Sequence, residues 1–178
     1  AEIILWASSV LMTIVSFLLS GDEGIIGFIA SVIGVTALIL CAKGNPFCQV
    51  LMIIFCLMYT YISYTFSYYG EMITYACMSL PMAVFSLVSW LRHPFKGNKT
   101  EVKVNRLKNK EHIFMVLLTA AVTIAFYFIL KSLNTANLIP STFSVATSFG
   151  AAYLTFRRNP YYAIWYAAND IVLIVLWT

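Results

Sequence analysis

The stretch Tyr161-Tyr162-Ala163-Ile164-Trp165-Tyr166-Ala167-Ala168-Asn169-Asp170-Ile171-Val172-Leu173-Ile174-Val175-Leu176-Trp177-Thr178 is apolar over 18 residues and contains one charged side chain, Asp170. At about 1.5 Å of rise per residue, a helix of this length crosses a hydrocarbon core of about 30 Å. Asp170 is the only charged residue inside any long apolar segment of the chain. A carboxylate in hydrocarbon costs a few kcal/mol or more unless it faces a partner or a water-filled cavity, so it marks a candidate functional position. Trp165 and Asn169 are four residues apart and share one helix face, setting an indole surface above an amide. That pairing suits a flat, polar small molecule held between helices.

Six further apolar runs accompany this one: Ile3–Leu19, Ile25–Ala42, Phe47–Phe66, Met72–Leu91, Ile113–Leu130 and Leu138–Phe156. The chain is 61% hydrophobic and 10% charged over 178 residues, with a mean hydropathy of +0.86. This composition excludes a soluble domain and predicts an all-α polytopic membrane protein of seven transmembrane helices. The loops are too short to hold a water-soluble catalytic domain, so residues 1–178 read as one membrane domain. The chain starts at Ala1 rather than Met and stops at Thr178 while still apolar, as a trimmed segment does. The first run lacks a basic n-region and exceeds a typical signal-peptide core, so it reads as a span.

Ten of the 11 Lys and Arg residues fall at one end of this arrangement: Lys43, then Arg92, Lys96, Lys99, Lys103, Arg106, Lys108 and Lys110, then Arg157 and Arg158. Lys131 alone falls at the other. The positive-inside rule therefore predicts an N-in, C-out topology, and the net charge of +4 is mainly a topology signal. The basic loop from Arg92 to His112, with its short alternation Val102-Lys103-Val104, reads as a solvated connector against anionic headgroups rather than a nucleic-acid surface.

Reactive motifs are missing. Cys41, Cys48, Cys56 and Cys77 have no CxxC spacing and read as small packing residues rather than metal ligands or a disulfide framework. His93 and His112 lie in the basic loop. There is no HExxH, no GxxxxGK[ST] cradle and no GxSxG elbow, so neither an enzyme, a metal site nor a bound cofactor is expected.

Lys43-Gly44-Asn45-Pro46 after the second span and Arg157-Arg158-Asn159-Pro160 after the sixth are offset by 114 residues. At that offset Ile25 meets Ile139, Ala37 meets Ala151 and Leu40 meets Leu154. Asn-Pro after a basic residue is also simply an efficient helix stop. Taken as a repeat, residues 1–66 and 113–178 form two parallel three-helix bundles, with residues 72–91 as the linker that gives both the same orientation. Such repeats hold substrate near the bilayer midplane. Asn169 then falls on Phe55 and Trp165 on Leu51, an asymmetric cavity. In the third span Tyr59 shares a face with Phe55 and is the favoured contribution from the first half, although Tyr59 and Tyr64 also fit an interfacial belt. Gln49 is either a substrate contact or an interhelical bond, and Trp90 either a cavity wall or an interface anchor. Pro81 should kink the fourth span, and the hydroxyl-rich sixth span, with Ser141, Thr142, Ser144, Thr147, Ser148 and Gly150, permits close helix approach.

Over essentially the whole chain these residues resemble the PnuC vitamin-uptake transporters. The resemblance rests on the three-one-three plan, Gly70-Glu71 after span three, Pro81 and Trp90 in span four, and above all the WxxxN pattern Trp165 to Asn169 followed by Asp170. It implies a SWEET-like fold, a bacterial cytoplasmic membrane, and facilitated uptake of nicotinamide riboside trapped by cytoplasmic phosphorylation. It also implies that Trp165 and Asn169 line the substrate site. Some relatives carry a second tryptophan where this chain has Tyr166, Ala167 and Ala168, and relatives carry thiamine or riboflavin, so the vitamin stays open. Asp170 is either a counter-charge for the pyridinium or an interhelical hydrogen bond. A non-transporting scaffold, in which Asn169 and Asp170 act as interhelical glue, is the rival from another class. Homo-oligomerisation is left open.

Overall fold

In the computed structural model, residues 2–20, 24–135 and 137–177 are described, and their architecture is helical apart from one small hairpin. The helices are α1 (Glu2–Ser20), α2 (Ile25–Ala42), α3 (Phe47–Thr65), α4 (Tyr69–Ile73), α5 (Leu80–Arg92), α6 (Asn109–Ser132), α7 (Leu138–Phe156) and α8 (Tyr162–Trp177). A π-helical stretch, Thr74–Ser79, joins α4 to α5, so that residues 69–92 act as one membrane-length helix. Seven long helical units result, close to the expected limits, of which Ile25–Ala42, Phe47–Thr65, Tyr69–Arg92 and Asn109–Ser132 are long and apolar enough to cross a membrane; Thr178, the expected end of the last unit, lies outside the described residues. Long apolar side chains such as Ile3, Leu117 and Ile174 are exposed on the outer faces. That pattern is unfavourable in water and natural against lipid tails, where burial of apolar surface is not the force that packs helices.

Packing follows the chain in two groups. α1 lies on α2 and α2 on α3; α6 lies on α7 and α7 on α8; α5 touches both α3 and α7. α5 also closes the end of α7: the Trp90 indole N–H donates to the Thr155 carbonyl at 2.8 Å, and the Ser89 hydroxyl to the Phe156 carbonyl at 2.9 Å. The last carbonyls of a helix lack intrahelical donors, and here a neighbouring helix supplies them.

The turns after α2 and α7 match bond for bond. Asn45 N–H donates to Leu40 O at 3.0 Å, and Asn159 N–H to Leu154 O at 2.9 Å. Gly44 and Arg158 both take positive φ, +70° and +59°. The Asn45 carboxamide oxygen accepts from Phe47 N–H and that of Asn159 from Tyr161 N–H, an Asx turn in each case.

Two local features differ from expectation. Instead of a simple kink at Pro81, the helix widens into the Thr74–Ser79 π turns just ahead of it. Proline has no N–H to offer the carbonyl four residues earlier, Cys77, and a π turn re-routes the ladder around the gap. The basic loop, expected to be a plain connector, contains an antiparallel pair, β1 (Pro94–Phe95) and β2 (Asn98–Val102). Lys96 and Gly97 supply the two positive φ values, 49° and 81°, that a two-residue hairpin turn requires. The hairpin and the segment after it strap both matched turns: Val102 N–H donates to Gly44 O at 2.9 Å, and Asn105 N–H to Arg158 O at 3.0 Å. The α2–α3, α5–α6 and α7–α8 connections therefore meet at one end of the bundle. Arg157 there pairs with Glu111 at the start of α6.

Candidate functional site

Asn169, on α8, is the best-anchored polar side chain within the spans. It is 8% exposed. Its amide oxygen accepts from the hydroxyls of Ser144 at 3.0 Å, Thr147 at 2.9 Å and Ser148 at 2.9 Å, all on α7. Positions 144, 147 and 148 lie on one helix face, so the hydroxyl-rich pattern read as a packing stripe is also a cradle for one amide. An amide oxygen has two lone pairs, and three converging hydroxyls saturate it. What Asn169 offers to an incoming molecule is therefore its N–H donors.

Asn169 stands where two cavities meet. The larger, about 440 Å³, runs between the two helix groups toward the basic end and is walled by α2, α3, α5, α7 and α8. It brings together four of the six side chains expected at a site: Gln49, Tyr59, Asn169 and Asp170. Asp170, exposed on α8, lines the margin of this cavity and makes no hydrogen bond or ion pair among the described residues. On the opposite wall the Tyr59 ring packs in tilted contact with Phe55 (ring centroids 4.5 Å apart) and Tyr75 (5.2 Å). This aromatic group offers flat apolar surface with polar tips. Gln49, 2% exposed, closes the basic end and donates to the Cys48 sulfur at 3.4 Å. A volume in the range of small-molecule sites, mostly apolar walls and a few convergent polar groups are the usual attributes of a ligand pocket. Among its lining residues there is no Lys, Arg or His.

The other two expected residues lie outside this cavity. Trp165 packs on α7: a methyl group added at Gly150 would sit 2.4 Å from its Cε3 and 2.5 Å from its Cζ3, so the indole occupies the notch that the bare glycine leaves. This places the ring one helical turn from Asn169, against Gly150 rather than against open space. Trp90, 2% exposed, is held by its bond to Thr155 and lines a separate recess of about 480 Å³ under the hairpin, beside Lys43, Lys103 and Arg158. Burial, and secondarily the neighbouring Arg157 guanidinium, lowers the pKa of Arg158 there.

Several cavity residues were not singled out from the sequence. Tyr75 and Ser79 are carried inward by the π turns and line both cavities; no periodicity argument places them, because the π segment shifts the helix phase. Tyr166 lines the large cavity one residue from Trp165.

The chain has relatives among known proteins. Residues 24–178 match the family described as "Nicotinamide mononucleotide transporter". The "Nicotinamide riboside transporter PnuC" of Neisseria mucosa is 27% identical over 153 residues, covering 84% of this chain and 58% of that protein, so the chain spans little more than half the length of this relative. The "Crystal structure of the Vitamin B3 transporter PnuC" superposes with a TM-score of 0.82 at 23% identity, covering 99% of this chain and 76% of that one, a likeness of fold.

Proposed function

Because the chain belongs to the nicotinamide mononucleotide transporter family, we propose that it is a carrier, not an enzyme, that admits nicotinamide riboside across the bacterial cytoplasmic membrane by facilitated passage. Phosphorylation in the cytoplasm then traps the product. The observation that carries this reading is the cavity at Asn169: N–H donors presented by a saturated amide, the unpaired Asp170 carboxylate beside them, and the Phe55, Tyr59 and Tyr75 rings opposite. Nicotinamide riboside is a flat cation with a carboxamide and ribose hydroxyls. Asn169 donates to a carbonyl or hydroxyl oxygen, Asp170 balances the pyridinium charge, and Tyr59 supplies a π-face for cation–π contact worth about 0.5–2 kcal/mol, while Trp165 seats α8 on α7 one turn from Asn169. Gln49 bounds the site at the basic end, and Trp90 serves as an anchor outside it.

The family description names the mononucleotide and the Neisseria relative the riboside. The cavity favours the riboside. A phosphate monoester carries nearly two negative charges at pH 7 and needs Arg, Lys, a metal or converging N–H groups to replace its water. The lining residues include no cation, and Asp170 repels it. The same asymmetry lets a passive carrier accumulate its vitamin, since the phosphorylated product no longer fits.

The bond-for-bond match of the Gly44 and Arg158 turns supports the reading of residues 1–66 and 113–178 as a parallel repeat joined by residues 72–91, a SWEET-like plan. The gathering of the basic connections at one end supports the N-in, C-out topology. Calorimetric titration of the purified protein tests the specificity: the riboside binds, and its 5′-phosphate binds roughly tenfold or more weakly. Equal affinity for the two would overturn the reading.

A further inference from the structure

The second cavity at Asn169, about 90 Å³, extends away from the basic end and opens between the start of α4 and the α6–α7 connection. Its outer wall is Gly70, Glu71 and Thr135, and its inner wall Tyr75 and Asn169. Glu71 at the mouth and Tyr75 toward the floor both line it. The mouth is narrow by construction, because a Cβ on Gly70 would lie 2.7 Å from Thr135 Oγ1 and 2.9 Å from Leu130 Cδ2. The Thr135 hydroxyl is buried there without a hydrogen-bond partner. Glu71 is half-buried and, among the described residues, has neither an ion pair nor a hydrogen bond. The one cation that the sequence places at this end, Lys131, sits 6.0 Å from the Tyr127 ring centroid.

A carboxylate at a constricted, low-dielectric mouth focuses its field along the passage and raises the local concentration of cations. The orphaned Thr135 hydroxyl supplies a polar group that a hydroxylated ligand can satisfy in passing. We propose that Glu71 and Thr135 form an outer recognition station for a cationic heteroaromatic ring of the pyridinium class, from which the ligand passes inward to Asn169 and Asp170. Two carboxylates in series, one at the mouth and one in the large cavity, then favour a cation along the whole route. This inference rests on the proposed carrier function and deepens it, since it assigns selectivity for charge to a residue outside the central site.

The experiment uses the full chain in liposomes and measures association rates by stopped-flow quenching of intrinsic tryptophan fluorescence. The probes are nicotinamide riboside, a cation, and its uncharged 1,4-dihydro form. Glu71→Gln slows association of the cation about three- to tenfold and leaves the dihydro form within twofold. Glu71→Asp, which keeps the charge, retains most of the rate. In the unmutated protein, raising the salt to 0.5 M slows the cation selectively, a readout that needs no variant to fold. Equal slowing of both ligands, or no slowing of the cation, overturns the role of Glu71 while leaving the carrier function standing. Failure of the unmutated protein to bind either ligand overturns both.

Discussion

Asn169→Leu isolates the polar core of the site with little change in side-chain volume. The helices lose one acceptor shared by three hydroxyls, yet two of the three have another: Thr147 Oγ1 lies 3.0 Å from Phe143 O, and Ser148 Oγ 2.6 Å from Ser144 O. Only Ser144 has Asn169 as its sole described acceptor. The cost to the fold is thus about one unpaired hydroxyl facing a cavity that can hold water, on the order of 1 kcal/mol. The ligand fares worse. Its oxygen faces a leucine methyl in place of two N–H donors, and leaving a buried polar group unpaired costs about 1–3 kcal/mol. At about 1.4 kcal/mol per tenfold, riboside affinity falls roughly 5- to 150-fold while the melting temperature drops by only a few degrees. Calorimetry and a thermal melt on the same purified sample separate the two. Affinity held within twofold would refute the placement of substrate at Asn169, and loss of the folded protein would make the hydroxyl cradle structural.

Asp170→Asn should weaken the cationic riboside about two- to fivefold, the scale of a partly exposed ion pair, and spare its dihydro form; equal effects in titrations of both would make the carboxylate structural. Gly150→Ala forces a methyl group into the Trp165 ring and should lower stability by about 1–3 kcal/mol, read as a melting temperature several degrees lower; an unchanged melt would contradict the seating of the indole on that glycine. Trp165→Ala empties the notch at Gly150 and should lower the melting temperature by several degrees, with Trp165→Phe milder; an unchanged melt together with a tenfold loss of riboside affinity would instead place the indole face in the substrate site.

The spans were legible because hydrocarbon imposes one simple demand, a helix of about 20 apolar residues, that residues 25–42 or 113–130 meet without ambiguity. The Asn-Pro turns were legible for a local reason as well: Asn45 and Asn159 cap their own backbones within two residues. What escaped was of another kind. The hairpin depends on positive φ at Lys96 and Gly97, and Lys-Gly is a weak turn signal beside Asn-Gly. The π turns arise from Pro81 acting four residues upstream, which changes the helix phase and brings Tyr75 and Ser79 to the cavity. In the site, the α8 pattern pointed to Asn169 and Asp170, and α-helical spacing from Phe55 pointed to Tyr59. The convergence of Ser144, Thr147 and Ser148 on one amide oxygen is tertiary, set by how closely α7 and α8 approach, and Gly150 permits that approach by taking the Trp165 ring. Hydropathy registers neither.

Passive passage of an uncoupled substrate is the central claim, and uptake of radiolabelled nicotinamide riboside into liposomes containing only the purified chain tests it most directly. Saturable uptake that reaches equal concentrations on both sides, with or without an imposed proton gradient, is the predicted result. Uptake no faster than into protein-free liposomes, or accumulation that depends on the gradient, would contradict it.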